Sequence, residues 1–176
     1  MTNEEIFAIL RPHIMGLTGV PECILYAQNQ DAPTGEYASV QPRYAVEERG
    51  QANIYRKDIP DDQVETDVRP QIMVTVIVEF YRGPANERAQ RLLQMGKVET
   101  VTWDLFKHKI SIRNTSGILD LTALQSNNYE QRARIELYLW MESSTAYAVN
   151  NILGTKIIAE KEDGQVIQEI NIDIRG

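Results

Sequence analysis

Apolar residues recur along this chain with two different periods, and the change from one to the other divides it into elements. Over residues 2–17, TNEEIFAILRPHIMGL, Ile6, Ile9, Leu10, Ile14 and Leu17 fall at helical spacing behind a Thr2/Glu5 capping box, which predicts an N-terminal helix. Pro12 lies inside it and is expected to kink or divide it, since proline removes a backbone donor and crowds the preceding turn. After a turn at Thr18, Gly19, Val20 and Pro21, the stretches Glu22–Gln28 and Tyr37–Gln41 read as two strands that pair, separated by the breakers Asp31 to Gly35. Gln71–Tyr81 carries the strongest strand signal. Ile72, Val74, Val76, Val78 and Phe80 share one face and Met73, Thr75, Ile77, Glu79 and Tyr81 the other, so the strand should be central.

The helical period returns after Gly83. Pro84 suits a first helical position, and Ala85, Ala89, Leu92 and Leu93 form an inward stripe that Gly96 interrupts. A second helix over Lys97–His108 would turn Val98, Val101 and Leu105 inward before Ile110 and Ile112 resume strand spacing, and Asn114 to Gly117 ends that strand. Five alternations from Ala133 to Met141 (Ala133, Ile135, Leu137, Leu139, Met141) favour strand over helix, although Tyr129, Ala133 and Leu137 are also four apart. The alternate positions Arg132, Arg134, Glu136, Tyr138 and Trp140 suit neither water alone nor core alone. Ile152–Glu160 and Val166–Ile174 flank an Asp163-Gly164 pair, the signal of a closing hairpin.

Pro42 to Pro70 follows neither period. It mixes charges of both signs with Ile54, Tyr55, Ile59, Val64 and Val68, and two readings stand equally: an extended arm or long hairpin that packs on a neighbour, or a mobile surface loop. The predicted fold class is α+β, a mixed but mainly antiparallel sheet flanked by helices, with a C-terminal β-hairpin and a long central arm at 42–70, in one domain over 1–176.

The 43% hydrophobic and 24% charged composition is that of an ordinary globular chain, and no apolar run approaches the ~20 residues that span a bilayer. The start, MTNEEIFAIL, carries acidic residues where a secretory signal needs basic ones, so synthesis and retention in the cytoplasm are expected. A formal charge of −7 argues against nucleic-acid binding by counterion release over the general surface, and serves solubility without further cause. The single cysteine, Cys23, excludes an internal disulfide and reads as a buried thiol.

Material for catalysis is thin. The two histidines are His13 and His108, with Asp104 four residues before the latter, an arrangement that reads more readily as a solvated charge pair than as an oriented base. No nucleophile elbow, zinc-binding HExxH, P-loop or dinucleotide turn is present, and Asp61, Asp62, Glu65 and Asp67 lack the spacing and glycine of a calcium loop. No enzyme activity, metal or cofactor is expected.

The strand QIMVTVIVEFY followed by GPANERAQRLL, and then ILDLTALQSNNYEQRARIELYLW, resembles the phage neck and tail-terminator family. The likeness lies in the order of short motifs: Phe80 to Gly83, the alanine-bearing helix from Ala85 to Leu93, the DLTAL turn at Asp120 to Leu124, the strand entry at Tyr129 to Ala133, and the closing hairpin, together spanning about residues 20–174. The resemblance implies a structural virion protein of the neck at the head-tail junction. It implies a homo-oligomeric ring, commonly a hexamer, that terminates the tail tube, meets head connector and tube or sheath proteins, and lets genomic DNA pass without binding it specifically. Asp120, Tyr129, Glu130, Arg132, Arg134 and Glu136 would then form a subunit interface, where arginine and aromatics are favoured. Glu47, Glu48, Asp61, Asp62, Glu65 and Asp67 would be available to line the channel. A tail-tube or baseplate subunit, and a small cytosolic enzyme or binding domain, remain as alternatives.

Overall fold

The computed structural model describes residues 1–26, 31–60, 63–125, 128–150, 154–162 and 164–173. They belong to two compact units, Met1–Gln51 with Pro70–Ser143, and Ala52–Arg69 with Ser144–Gly176. The first unit begins with α1 (Asn3–Thr18), whose Thr2 side chain accepts from the Glu5 amide while the Glu5 carboxylate accepts from the Thr2 amide. Two orphan donors of the first turn are thereby satisfied. Pro12 is accommodated without dividing the helix, and Gly19, at φ 68°, closes it with a hydrogen bond to the Met15 carbonyl.

The strands of the first unit lie in the order β1 (Glu22–Leu25), β2 (Tyr37–Ile59), β3 (Gln63–Tyr81), β8 (Arg132–Glu142) and β4 (Ile110–Thr115), with the short β5 (Leu119–Asp120) also on β8. β1 pairs with β2 in parallel; β3, β4 and β5 each run antiparallel to β8. The register sets Val76 opposite Leu137 and Phe80 opposite Ala133. The apolar rows predicted for the two strands therefore share a face.

That face is covered by α1, α2 (Ala85–Leu92) and α3 (Glu99–Lys107), the last two separated by a 3₁₀ turn at Met95–Lys97. Ile6, Leu10 and Ile14 of α1, Ala85, Ala89 and Leu92 of α2, and Val101 and Leu105 of α3 are buried with Ile72, Val74, Val76, Val78 and Phe80 of β3. Each fully buried Leu, Ile or Phe contributes about 1.5–3 kcal/mol, and this cluster is what fixes the unit. Cys23 is part of it, and burial pushes its thiol pKa up to about 11.

The expected elements shift in detail. Pro84 stands at the N-cap rather than the first helical position. β1 ends at Leu25, and residues 27 and 28 of the expected strand lie outside the described residues. Asp104 pairs with His13 at 3.0 Å and Lys107 at 3.6 Å, tying α3 to α1. The aperiodic stretch from Pro42 to Pro70 is strand in its described residues except for a turn at Pro60, as parts of β2 and β3.

The second unit contains the far part of β2, the near part of β3, β9 (Thr145–Asn150) and the hairpin of β10 (Gly154–Glu160) and β11 (Val166–Asp173). β9 runs antiparallel to Gln63–Val68 of β3, and β10 pairs antiparallel with β11. The predicted closing hairpin is present, although Ile152 and Ile174 lie outside the described residues. A further ribbon, β6 (Ala123–Gln125) with β7 (Asn128–Glu130), belongs to the first unit and precedes β8. Among the described residues no helix is long and apolar enough to cross a membrane.

Candidate functional site

The sheet face turned away from the helices is built from alternate residues of β3 and β8. Glu79 lies opposite Arg134 and Tyr81 opposite Arg132, so two carboxylates, two arginines and several aromatics meet on one surface. Arg132 binds Glu79 at 2.6 Å and lies over the Tyr81 ring at 4.6 Å, and Tyr81 donates its hydroxyl proton to Glu79. Tyr81 in turn stacks on Tyr37 of β2, with centroids 4.5 Å apart and rings 4° from parallel. Burial, followed by the bond to Glu79, keeps the Tyr81 phenol well above its ordinary pKa.

One turn of the pleat further along, Arg134 binds Glu136 at 2.8 Å and lies over Tyr44 at 5.4 Å, while Tyr138 donates to Glu136 at 3.1 Å. At the far end of β8, Arg49 and Arg113 approach the Trp140 ring at 5.7 and 5.8 Å. The mixed face puzzling in the sequence is thus a ladder of ion pairs and cation–π contacts. These pairs are half-buried, and each contributes roughly 1 kcal/mol or less; their main effect is to hold long side chains in fixed positions.

At the start of β8 the chain forms a corner. Arg82 and Gly83 both adopt left-handed conformations, at φ 64° and 55°, directly after β3. Arg82 offsets its strain by donating to the carbonyls of Pro33, Thr34 and Gly35 and lies 3.8 Å from Glu130. Gly83 is required twice over, because a β-carbon there would also collide with the Glu36 carboxylate, which is held by the buried Arg88.

Next to this corner lies an open cleft of about 780 Å³ whose lining includes Arg82, Asn86, Glu87, Asp120, Tyr129 and Glu130. Asp120 accepts from the Thr122 amide at 2.9 Å and from Asn86 at 3.0 Å, and these hydrogen bonds, led by those to Thr122, lower its carboxyl pKa. A second cleft of about 430 Å³ is lined by Tyr37, Tyr81, Arg82, Glu130 and Arg132 among others. Glu130 and Arg82 therefore border both.

Of the expected interface residues, Asp120, Tyr129 and Glu130 come together around the first cleft, Arg132 joins Glu130 at the second, and Arg134 and Glu136 pair on the sheet face. Tyr37, Tyr44, Glu79, Tyr81 and Arg113 complete that face and were not singled out. Glu79 and Tyr81 could have been found by setting the two alternating strands against each other, because their second faces then coincide. The expected channel residues are not gathered. Glu47 and Glu48 are exposed on the part of β2 in the first unit, Glu65 and Asp67 belong to the second unit, and Asp61 and Asp62 lie outside the described residues. Asp67 is engaged by Arg69 and by Ser144, both at 2.6 Å. Among the described residues no group of three or more His, Cys, Asp or Glu is placed to hold a metal ion.

The family model for phage neck terminator proteins matches residues 4–164 of the 176. No curated protein matches the chain.

Proposed function

The chain belongs to the phage neck terminator family, and on that premise we propose that copies of it close into a ring, a hexamer, that ends the tail tube. The ring joins the tube to the head connector at the virion neck and leaves a passage for genomic DNA. The observation that carries this reading is the second unit: among its described residues Thr66 alone is buried, while Ile54, Tyr55, Tyr147, Ile157, Ile167 and Ile170 are exposed. So much exposed apolar surface on paired strands marks a surface that meets other protein. Neighbouring copies and the neck and tail proteins supply it.

In this reading Asp120, Tyr129, Glu130, Arg132, Arg134 and Glu136 lie at the subunit boundary, and Glu47, Glu48, Glu65 and Asp67 supply negative charge to the passage, which keeps phosphates from adhering. Light scattering coupled to size exclusion, with electron microscopy of the same fractions, tests it. A closed particle of one fixed stoichiometry with a central hole is expected. A chain that stays monomeric at every concentration, or one that stacks into open-ended tubes, would sink the terminator assignment.

A further inference from the structure

Two features of the first unit, at opposite ends of β8, fit each other. Just before β8 begins, the β6–β7 ribbon sets Leu124 directly opposite Tyr129, and the two side chains are 62% and 76% exposed. A large aliphatic and a large aromatic side chain held this far out of any core form a protruding apolar knob. Where β8 ends and β4 begins, Phe106, Ile110, Trp140 and Met141 line an open groove of about 410 Å³, with Phe106 itself 67% exposed. Arg132 and Glu142, the ends of β8, are ten residue steps apart, or roughly 33 Å. The knob therefore cannot reach the groove of its own chain.

We propose that the knob of one copy seats in the groove of the next, giving a head-to-tail contact that repeats around the ring. This rests on the ring reading above and names its contact surfaces. Charge is complementary across the two patches. The two clefts that Tyr129 and Leu124 line carry Glu87, Asp120 and Glu130 against Arg82 and Arg132, three carboxylates to two cations. The charged lining of the groove is the pair Lys109 and Glu142, and Arg49 and Arg113, over the Trp140 ring at its edge, add two further cations. Opposite excess at opposite ends of one strand favours docking of unlike ends and disfavours like ends meeting. A contact between two different patches of identical chains generates a ring when the rotation closes, whereas a contact of one patch with itself stops at a dimer.

Cross-linking with a short bis-maleimide tests the contact, and the buried Cys23 stays silent in it. Chains carrying Leu124→Cys and chains carrying Phe106→Cys are assembled separately and as an equal mixture. Cross-linked dimers should appear in the mixture and not in either pool alone, and a chain carrying both substitutions should give a ladder ending at the ring. Circular dichroism confirms that each variant folds, as expected for exposed positions. Rings of normal mass without the mixed cross-link would overturn this contact and leave the ring standing. Cross-linking within the Leu124→Cys pool would overturn it in favour of a symmetric dimer. Wild-type protein that never leaves the monomer would remove both the contact and the ring.

Discussion

The two units differ in where their apolar residues go. In the first, the side chains of β3 and β8 that face the helices are buried almost without exception, and Phe80, Ile135, Leu137 and Leu139 are fully enclosed. In the second, the strands are just as regular, and the register of β10 against β11 sets Ile157 opposite Ile170, yet both are more than two-fifths exposed. Hydrogen-bond ladders alone hold a two-stranded ribbon only marginally in water. The first unit thus carries its own stability, whereas the second is made of surface. Identical local chemistry, alternating β-branched residues, is buried in one place and left exposed in the other.

The largest effect that separates them is truncation of matched aliphatic side chains. Leu137→Ala should destabilise the chain by about 2–5 kcal/mol, since it leaves a cavity in a core that can only partly relax. Ile170→Ala should change the folding stability of the unassembled chain by no more than about 0.5 kcal/mol. The same change should weaken assembly. Denaturant unfolding followed by tryptophan fluorescence, with light scattering on the same variants, reads both. An Ile170→Ala cost as large as that of Leu137→Ala would mean the second unit has an interior after all.

The same contrast explains what was legible in the sequence. Alternation records one-sided burial, so it was plain in Ala133–Met141, where buried and half-buried positions alternate, whereas Ile72 to Val78 of β3 are buried on both faces and read as a nearly continuous apolar run. The strand from Tyr44 to Asp58 is exposed at every position but Ala52, which leaves no side preferred and no period to detect. Local signals survived: the Thr2/Glu5 capping box and the glycine turn before the last strand both lie where expected. The candidate site was only half legible. Arg134 and Glu136 are two residues apart and could be paired by eye, but Arg132 finds Glu79 across 53 positions, and only the register of two strands reveals it.

A smaller effect tests how tightly the first unit is determined at its corner. Gly83→Ala should cost about 1–3 kcal/mol, because alanine is strained at φ 55° and its methyl group meets the Glu36 carboxylate. Gly50→Ala, at φ 72° but with open space around the new methyl group, should cost about 1–2 kcal/mol, from the backbone alone. Thermal melts of the two variants separate collision from backbone strain. Equal losses would show that Glu36 moves aside freely and that Arg88 does not hold it.

The smallest effect concerns reaction rate rather than stability, and it probes the contrast most directly. The Cys23 thiol is buried in the first unit, and its pKa rises from 9.0 to about 11 through desolvation. At pH 8 the thiolate, the form that attacks a maleimide or disulfide reagent, is then about 100-fold scarcer than in an exposed cysteine, before any steric barrier is counted. A cysteine introduced by Ile170→Cys, on the open ribbon, should react at the rate of a free thiol. Cys23 in the same chain should be modified only as fast as the first unit opens. The sign of the linkage follows: because folding favours the neutral thiol, its contribution is fully present below pH 9 and is lost as pH rises toward about 11. Labelling of Cys23 should therefore accelerate with pH more steeply than labelling at position 170. Upon assembly the order should partly reverse, with the ribbon cysteine becoming protected and Cys23 unchanged. A position-170 thiol that is equally reactive in the monomer and in the ring would show that this face of the ribbon meets only water.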